Sequence, residues 1–138
     1  MHVSYTGADT LGLGGGTSNR SNKVSNISYP KKQRAWFSTS SFADPVAPWN
    51  GGPNQGFGNS GKDALVAPGL LNFNTSLFKT IPLTENEGPR FEIRFESFNT
   101  FNHTQFNAVD TNSGDGNFGQ VTSAYDPRTL QLGAKFIF

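Results

Sequence analysis

The sequence predicts an all-β protein built from antiparallel amphipathic strands. Three observations predict it. Residues that suit pleated sheet and tight turns dominate, with Phe 13, Gly 16 and Pro 8 of 138, and Asn, Ser and Thr filling much of the remainder. No segment offers about ten good helix formers at a 3.6-residue period. The second half contains three segments in which every second residue is apolar. Charged residues are only 15%, against roughly 25% in an average soluble domain. A net charge of +1 supplies no field to attract nucleic acid, and the absence of cysteine removes disulfides and thiolate metal sites.

Residues 1–69 are mostly turn-formers, as in "TLGLGGGTSNRSNKVSN" and "PVAPWNGGPNQGFGNSG". They read as a long Gly/Asn/Pro-rich loop or arm with short strand stubs, one at His2–Thr6 and another within "RAWFSTSSFA". Trp36, Phe37, Phe42, Trp49 and Phe57 favour a loop that packs on something. Residues 70–138 carry the strands, over about 70–83, 90–102 and 128–138. In the first, Leu71, Phe73, Thr75, Leu77, Ile81 and Leu83 share a face that Lys79 interrupts. A short polar turn, "TENEGP", follows at 84–89.

The second strand is the clearest. Phe91, Ile93 and Phe95 alternate with Arg90, Glu92, Arg94 and Glu96, and the pattern blurs at Ser97–Phe98, where a bulge or phase change is expected. The paired carboxylates Glu92 and Glu96 alternate with arginines, which predicts a cross-strand salt ladder rather than acid–base catalysis. A long Asn/Gly/Asp-rich loop covers 103–127. The last strand sets Leu130, Leu132, Ala134, Phe136 and Phe138 against Gln131, Gly133 and Lys135.

Strand and loop lengths carry the argument further. No apolar run has the length of a membrane helix, and a mean hydropathy of −0.48 does not distinguish a soluble sheet from a membrane barrel. Each strand approaches the roughly 9–11 residues that cross a bilayer when tilted. Loops alternate long, short (84–89), long (103–127), the pattern of outer-membrane barrels with short periplasmic turns, and this order puts the C-terminus on the periplasmic side. Four charges in an apolar core would cost heavily in desolvation, so Arg90, Glu92, Arg94 and Glu96 are expected to face water or a wet lumen. Phe91, Ile93, Phe95, Leu130, Leu132, Phe136 and Phe138 are expected to face lipid or a partner. A soluble edge strand usually carries blunting charge or Pro, which the last strand lacks but for Lys135. The first ten residues have neither a basic nor an apolar signal-peptide region; outside the cytoplasm, Met1 would not be the start of the precursor.

Several segments resemble the C-terminal end of TonB-dependent outer-membrane receptors, in particular the Oar-like, carboxypeptidase-regulatory-domain group. They are "VSYTGADTLGL", "WFSTSSFADP", "FGNSGKDALVAPGLLNFNTSLFKTIPL", "RFEIRFESFNTFNHTQFN" and "FGQVTSAYDPRTLQLGAKFIF". The terminal Phe138 with alternating apolar residues also resembles the sorting signal read by the barrel assembly machinery. The resemblance implies a plugged barrel of about 22 strands, set in the bacterial outer membrane, which imports bulky solutes. Contact with TonB is implied only for regions that this sequence does not show. Three clear strands cannot close a lumen, for which about eight are needed. The expected fold is therefore a partial barrel, completed by further sequence or by other subunits. The alternative is a self-assembling extracellular filament subunit at the cell surface, built by strand addition between copies.

Other motifs read as ordinary loop chemistry. "GFGNSGKD" fits the G-x-x-x-x-G-K frame, but Asp63 stands where a phosphate loop needs Ser or Thr, and Pro53 and Pro68 bracket it. Asp110, Asn112 and Asp115 miss the calcium-loop frame and suit a turn. His103 has no oriented partner for catalysis and reads as a loop anchor. "YPKKQRAW" reads as a solvated or headgroup-contacting loop, and the Asn-X-Ser/Thr matches are those any Asn-rich chain contains. No cofactor, metal or catalytic set is expected.

Overall fold

The computed structural model describes residues 1–15, 18–85 and 88–138. Among them are nine strands: β1 (Ser4–Thr6), β2 (Ser18–Arg20), β3 (Asn22–Lys23), β4 (Phe42–Ala43), β5 (Thr75–Pro82), β6 (Arg90–Phe98), β7 (Phe106–Val109), β8 (Val121–Ala124) and β9 (Thr129–Ile137). Helical structure among the described residues amounts to three single 3-10 turns, and every ladder between strands is antiparallel. The fold is all-β, as the turn-rich, helix-poor composition predicts. The chain forms two units. Unit one comprises residues 1–68 and 106–124; unit two comprises 69–105 and 125–138.

Unit two is a single antiparallel sheet in the order β5–β6–β9. Its strands are shorter than the segments expected from the sequence, and the backbone gives the reason. Asn99 adopts φ 52° and Asn102 φ 50°, the left-handed region that Asn tolerates better than most residues. The chain therefore leaves β6 at Phe98 instead of continuing to Asn102. The blurred alternation at Ser97–Phe98 has the same cause and is not a bulge: β6 runs in unbroken register with β9 through Phe98↔Thr129. At the other end Leu83 N–H donates to the Pro89 carbonyl at 3.0 Å. The turn expected at 84–89 lies partly outside the described residues, at 86–87.

Unit one holds the buried core, although its first 68 residues are dominated by turn-formers. Val3, Trp36, Phe37, Phe42, Leu65 and Val109 are buried, with Ile27, Tyr29, Phe106, Phe118 and Val121 packed on them. Phe37, Phe42 and Phe118 meet edge to face, with ring centroids 5.3–6.0 Å apart. Trp36 Nε1 donates to the Val66 carbonyl at 3.1 Å, so its polar end is satisfied inside this apolar cluster. The segment expected as one loop over 103–127 contributes the β7–β8 hairpin, which supplies Phe106, Val109 and Val121 to this core. Of the five loop aromatics, Trp36, Phe37 and Phe42 are buried, whereas Trp49 and Phe57 stay exposed.

Short strands alone could not hold such a unit, and side-chain amides and hydroxyls supply the remaining bonds. Asp9 accepts backbone N–H from Leu11, Gly12 and Gly14 at 2.8–3.0 Å. The Gly14 N–H above all holds its carboxyl below the ordinary aspartate range, against a smaller effect of desolvation. Gly12 and Gly14 have φ 71° and 80°, so the loop needs glycine to wrap round the carboxylate. Asp110 and Asn112 are engaged in the same way, accepting N–H from Asn112 and from Thr6 and Gly114 respectively.

Candidate functional site

The sheet of unit two sorts its side chains into two unlike faces. Strand alternation defines the sets, and the register stacks them across the strands. On one face Ile81, Phe91 and Phe136 form a row; Lys79, Ile93 and Ala134 form the next; Leu77, Phe95 and Leu132 form the third. Leu130 continues it opposite Ser97. Phe138 lies beyond the ladder and stacks on Phe136 with centroids 5.9 Å apart. All the residues assigned to this face from the sequence are thus gathered on it.

The opposite face carries Arg90, Glu92, Arg94 and Glu96. Their cross-strand neighbours are Pro82 and Ile137, Thr80 and Lys135, Phe78 and Gly133, and Ser76 and Gln131. Here the expected cross-strand salt ladder is corrected. No acid stands directly opposite either arginine, so the ion pairs run along β6: Arg90 Nε to Glu92 Oε1 at 3.4 Å, and Arg94 Nε to Glu96 Oε1 at 2.9 Å. The Arg94 guanidinium also lies 4.9 Å from the Phe78 ring centroid. Gly133, across from Arg94, leaves a groove of about 270 Å³ over the strands. The Arg90–Glu92 pair is exposed on both sides, the kind that contributes at most about 1 kcal/mol, whereas beside Arg94 the Glu96 side chain is only 15% exposed. Together the two pairs keep the four charges of this face matched.

Neither face of this sheet is closed by a core. Every residue of β5 is exposed, and in β9 only Gly133 and Ile137 are partly covered. Leu132 is 74% exposed and Phe138 98%. Monomeric soluble proteins rarely leave so many large apolar side chains on one open sheet face. The free edges of β5 and β9 repeat the point in hydrogen bonds, since each is paired on one side only among the described residues. Lys79 is the one charge on the apolar face, set across from Ile93 near the middle of the ladder.

Sequence reasoning missed the residues that set this sheet's loop end. Asn99 is buried: its Oδ1 accepts His103 N–H at 3.1 Å, and its Nδ2 donates to the carbonyls of His103 and Asp126 at 3.1 and 3.4 Å. Asn74 Oδ1 accepts Asn99 N–H, and Asn102 Oδ1 accepts Arg128 N–H. Gln105 bonds both backbone groups of Leu71, and its amide lies 3.1 Å from His103 Nδ1. These amides tie the exit of β6 to the approaches of β5 and β9. The signal was the amide density of "FNTFNHTQFN", which does not say which amide turns inward.

The family model described as outer membrane beta barrel domain matches residues 1–131. No curated protein and no solved structure matches the chain.

Proposed function

Because the chain belongs to the outer membrane beta barrel domain family, we propose that its three-stranded sheet is a stretch of barrel wall, in the C-terminal part of a TonB-dependent-receptor-like barrel engaged in solute uptake. One observation carries the reading. The register collects Phe91, Ile93, Phe95, Leu130, Leu132 and Phe136 on one face and Arg90, Glu92, Arg94 and Glu96 on the other, with both sheet edges free. In a barrel wall the first set meets lipid, the second meets a wet lumen, and neighbouring strands complete the edges. Family membership points to the outer membrane as the location. The uptake role draws its support from the segments that resemble the receptor family, and the apolar alternation along β9 is the feature the barrel assembly machinery would read.

The chain lacks cysteine, so single nitroxide-labelled cysteines test the wall directly. In a bilayer, labels at 91, 93, 95, 132 and 136 should be relaxed by dissolved oxygen, and labels at 90, 92, 94 and 96 by a water-soluble paramagnet. Loss of that two-residue alternation would refute the wall. Filaments that form without detergent, with both faces seeing water, would instead favour the self-assembling surface subunit, which uses the same free edges. The uptake role requires that deleting the gene abolish energy-dependent uptake of a solute and that the intact chain restore it.

A further inference from the structure

We propose that unit one carries a binding cavity for an anionic group, a phosphate or carboxylate, borne on an apolar body. The cavity has a volume of about 670 Å³, within the range of small-molecule sites. His2, Arg20, Lys62 and the aromatic Phe57 line it, and among the described residues no acidic one does. Arg20 has one side-chain partner, the Ser60 carbonyl at 3.5 Å, and neither Arg20 nor Lys62 forms an ion pair among the described residues. A guanidinium fork and an ammonium on the lining of one cavity are a donor set suited to a planar carboxylate or a phosphate. Phe57, 56% exposed, offers its ring to the rest of the ligand.

The walls are held in place before any ligand arrives. Ser4↔Arg20 pairing in the β1–β2 ladder sets Arg20 near the chain segment that carries His2. The loop bearing Phe57 and Lys62 is laid along β2: Ser60 N–H donates to the Ser21 carbonyl at 3.0 Å, and Gly58 N–H to Asn19 Oδ1 at 3.3 Å. Asn19 is buried, and its Nδ2 donates to the Gly56 carbonyl at 2.7 Å and to Thr10 Oγ1 at 3.0 Å. A Cβ at Gly58 would stand 1.7 Å from the Arg20 carbonyl oxygen, so only glycine lets the loop approach this closely. This is the "GFGNSGKD" stretch. Its N–H groups at Gly58, Asn59 and Ser60 are already donated to protein acceptors. Those three N–H groups are thus committed to the protein, and charged side chains would make the recognition.

Phenyl phosphate and benzoate serve as probes, with phenyl glucoside as the neutral control, titrated calorimetrically into the full chain in zwitterionic detergent. Binding of the two anions should weaken about ten- to a hundredfold in the double variant R20Q/K62Q, the range for losing charge-assisted hydrogen bonds. It should stay unchanged in K32Q/R34Q, which removes the same charge elsewhere on exposed residues. Nanodiscs containing phosphatidylglycerol form the second arm. If they bind through Arg20 and Lys62 while the soluble anions do not, the anionic group is a lipid headgroup; if the soluble anions bind, it belongs to a free solute. Equal affinity for phenyl glucoside, or equal losses in the two double variants, overturns the proposal. Binding is read without transport, so the site and the uptake role fail separately.

Discussion

Replacing Leu132 with Lys, beside the same replacement at Gln131, tests which face of the sheet meets lipid. The two positions are adjacent in β9 and point to opposite faces, Leu132 beside Phe95 and Gln131 beside Glu96. Leu132 is 74% exposed in the chain itself. Burying a whole leucine side chain is worth about 1.5–3 kcal/mol, so lipid contact over three-quarters of it is worth about 1–2 kcal/mol. A lysine near the bilayer midplane adds about 2–4 kcal/mol of cost. Leu132→Lys should therefore destabilise the embedded chain by about 3 kcal/mol or more. Gln131→Lys should stay within about 0.5 kcal/mol, as at an ordinary wet position. Equilibrium guanidinium unfolding from phosphatidylcholine vesicles reads the difference. Similar small effects at both positions, or a larger one at Gln131, would refute the assignment of faces.

The same assay should find Lys79→Leu stabilising by about 2 kcal/mol, less whatever its long side chain recovers by reaching the interface; a loss of stability would show that the Lys79 position sees water. Asn99→Gly keeps the positive φ but loses the amide bonds to His103 and Asp126, and should cost about 1–3 kcal/mol, with Asn99→Ala costing about 1 kcal/mol more through backbone strain. Equal stabilities for those two variants would argue against strain at Asn99. Phe37→Ala empties the centre of unit one and should cost about 3–5 kcal/mol, seen as early loss of the near-ultraviolet aromatic signal while the β5–β6–β9 amides stay protected from exchange. Because the folded Asp9 carboxyl is depressed, its contribution is present above the unfolded aspartate pKa and is lost as pH falls through the lower folded value. Its carbon-13 titration should have a midpoint below that of a free aspartate, and Asp9→Asn should speed exchange of the Gly14 amide at neutral pH; an ordinary midpoint would show the carboxylate is not held.

The sequence by itself determined the part of this protein that repeats. A period of two is a local property, so "RFEIRFESF" and "TLQLGAKFI" declare strands whose Phe91, Ile93 and Phe95 oppose Arg90, Glu92 and Arg94 wherever the chain goes. That alternation sufficed for the all-β class and for the membership of each face. Only the tertiary structure decided the rest. The direction of the ion pairs depended on what β5 and β9 bring opposite the arginines. The ends of the strands depended on two asparagines turning left-handed. The core of unit one depended on Val3, Phe37, Leu65 and Val109 meeting from distant parts of the chain. Contacts of that kind have no period to read, because their energy comes from burying together side chains that the local sequence leaves apart.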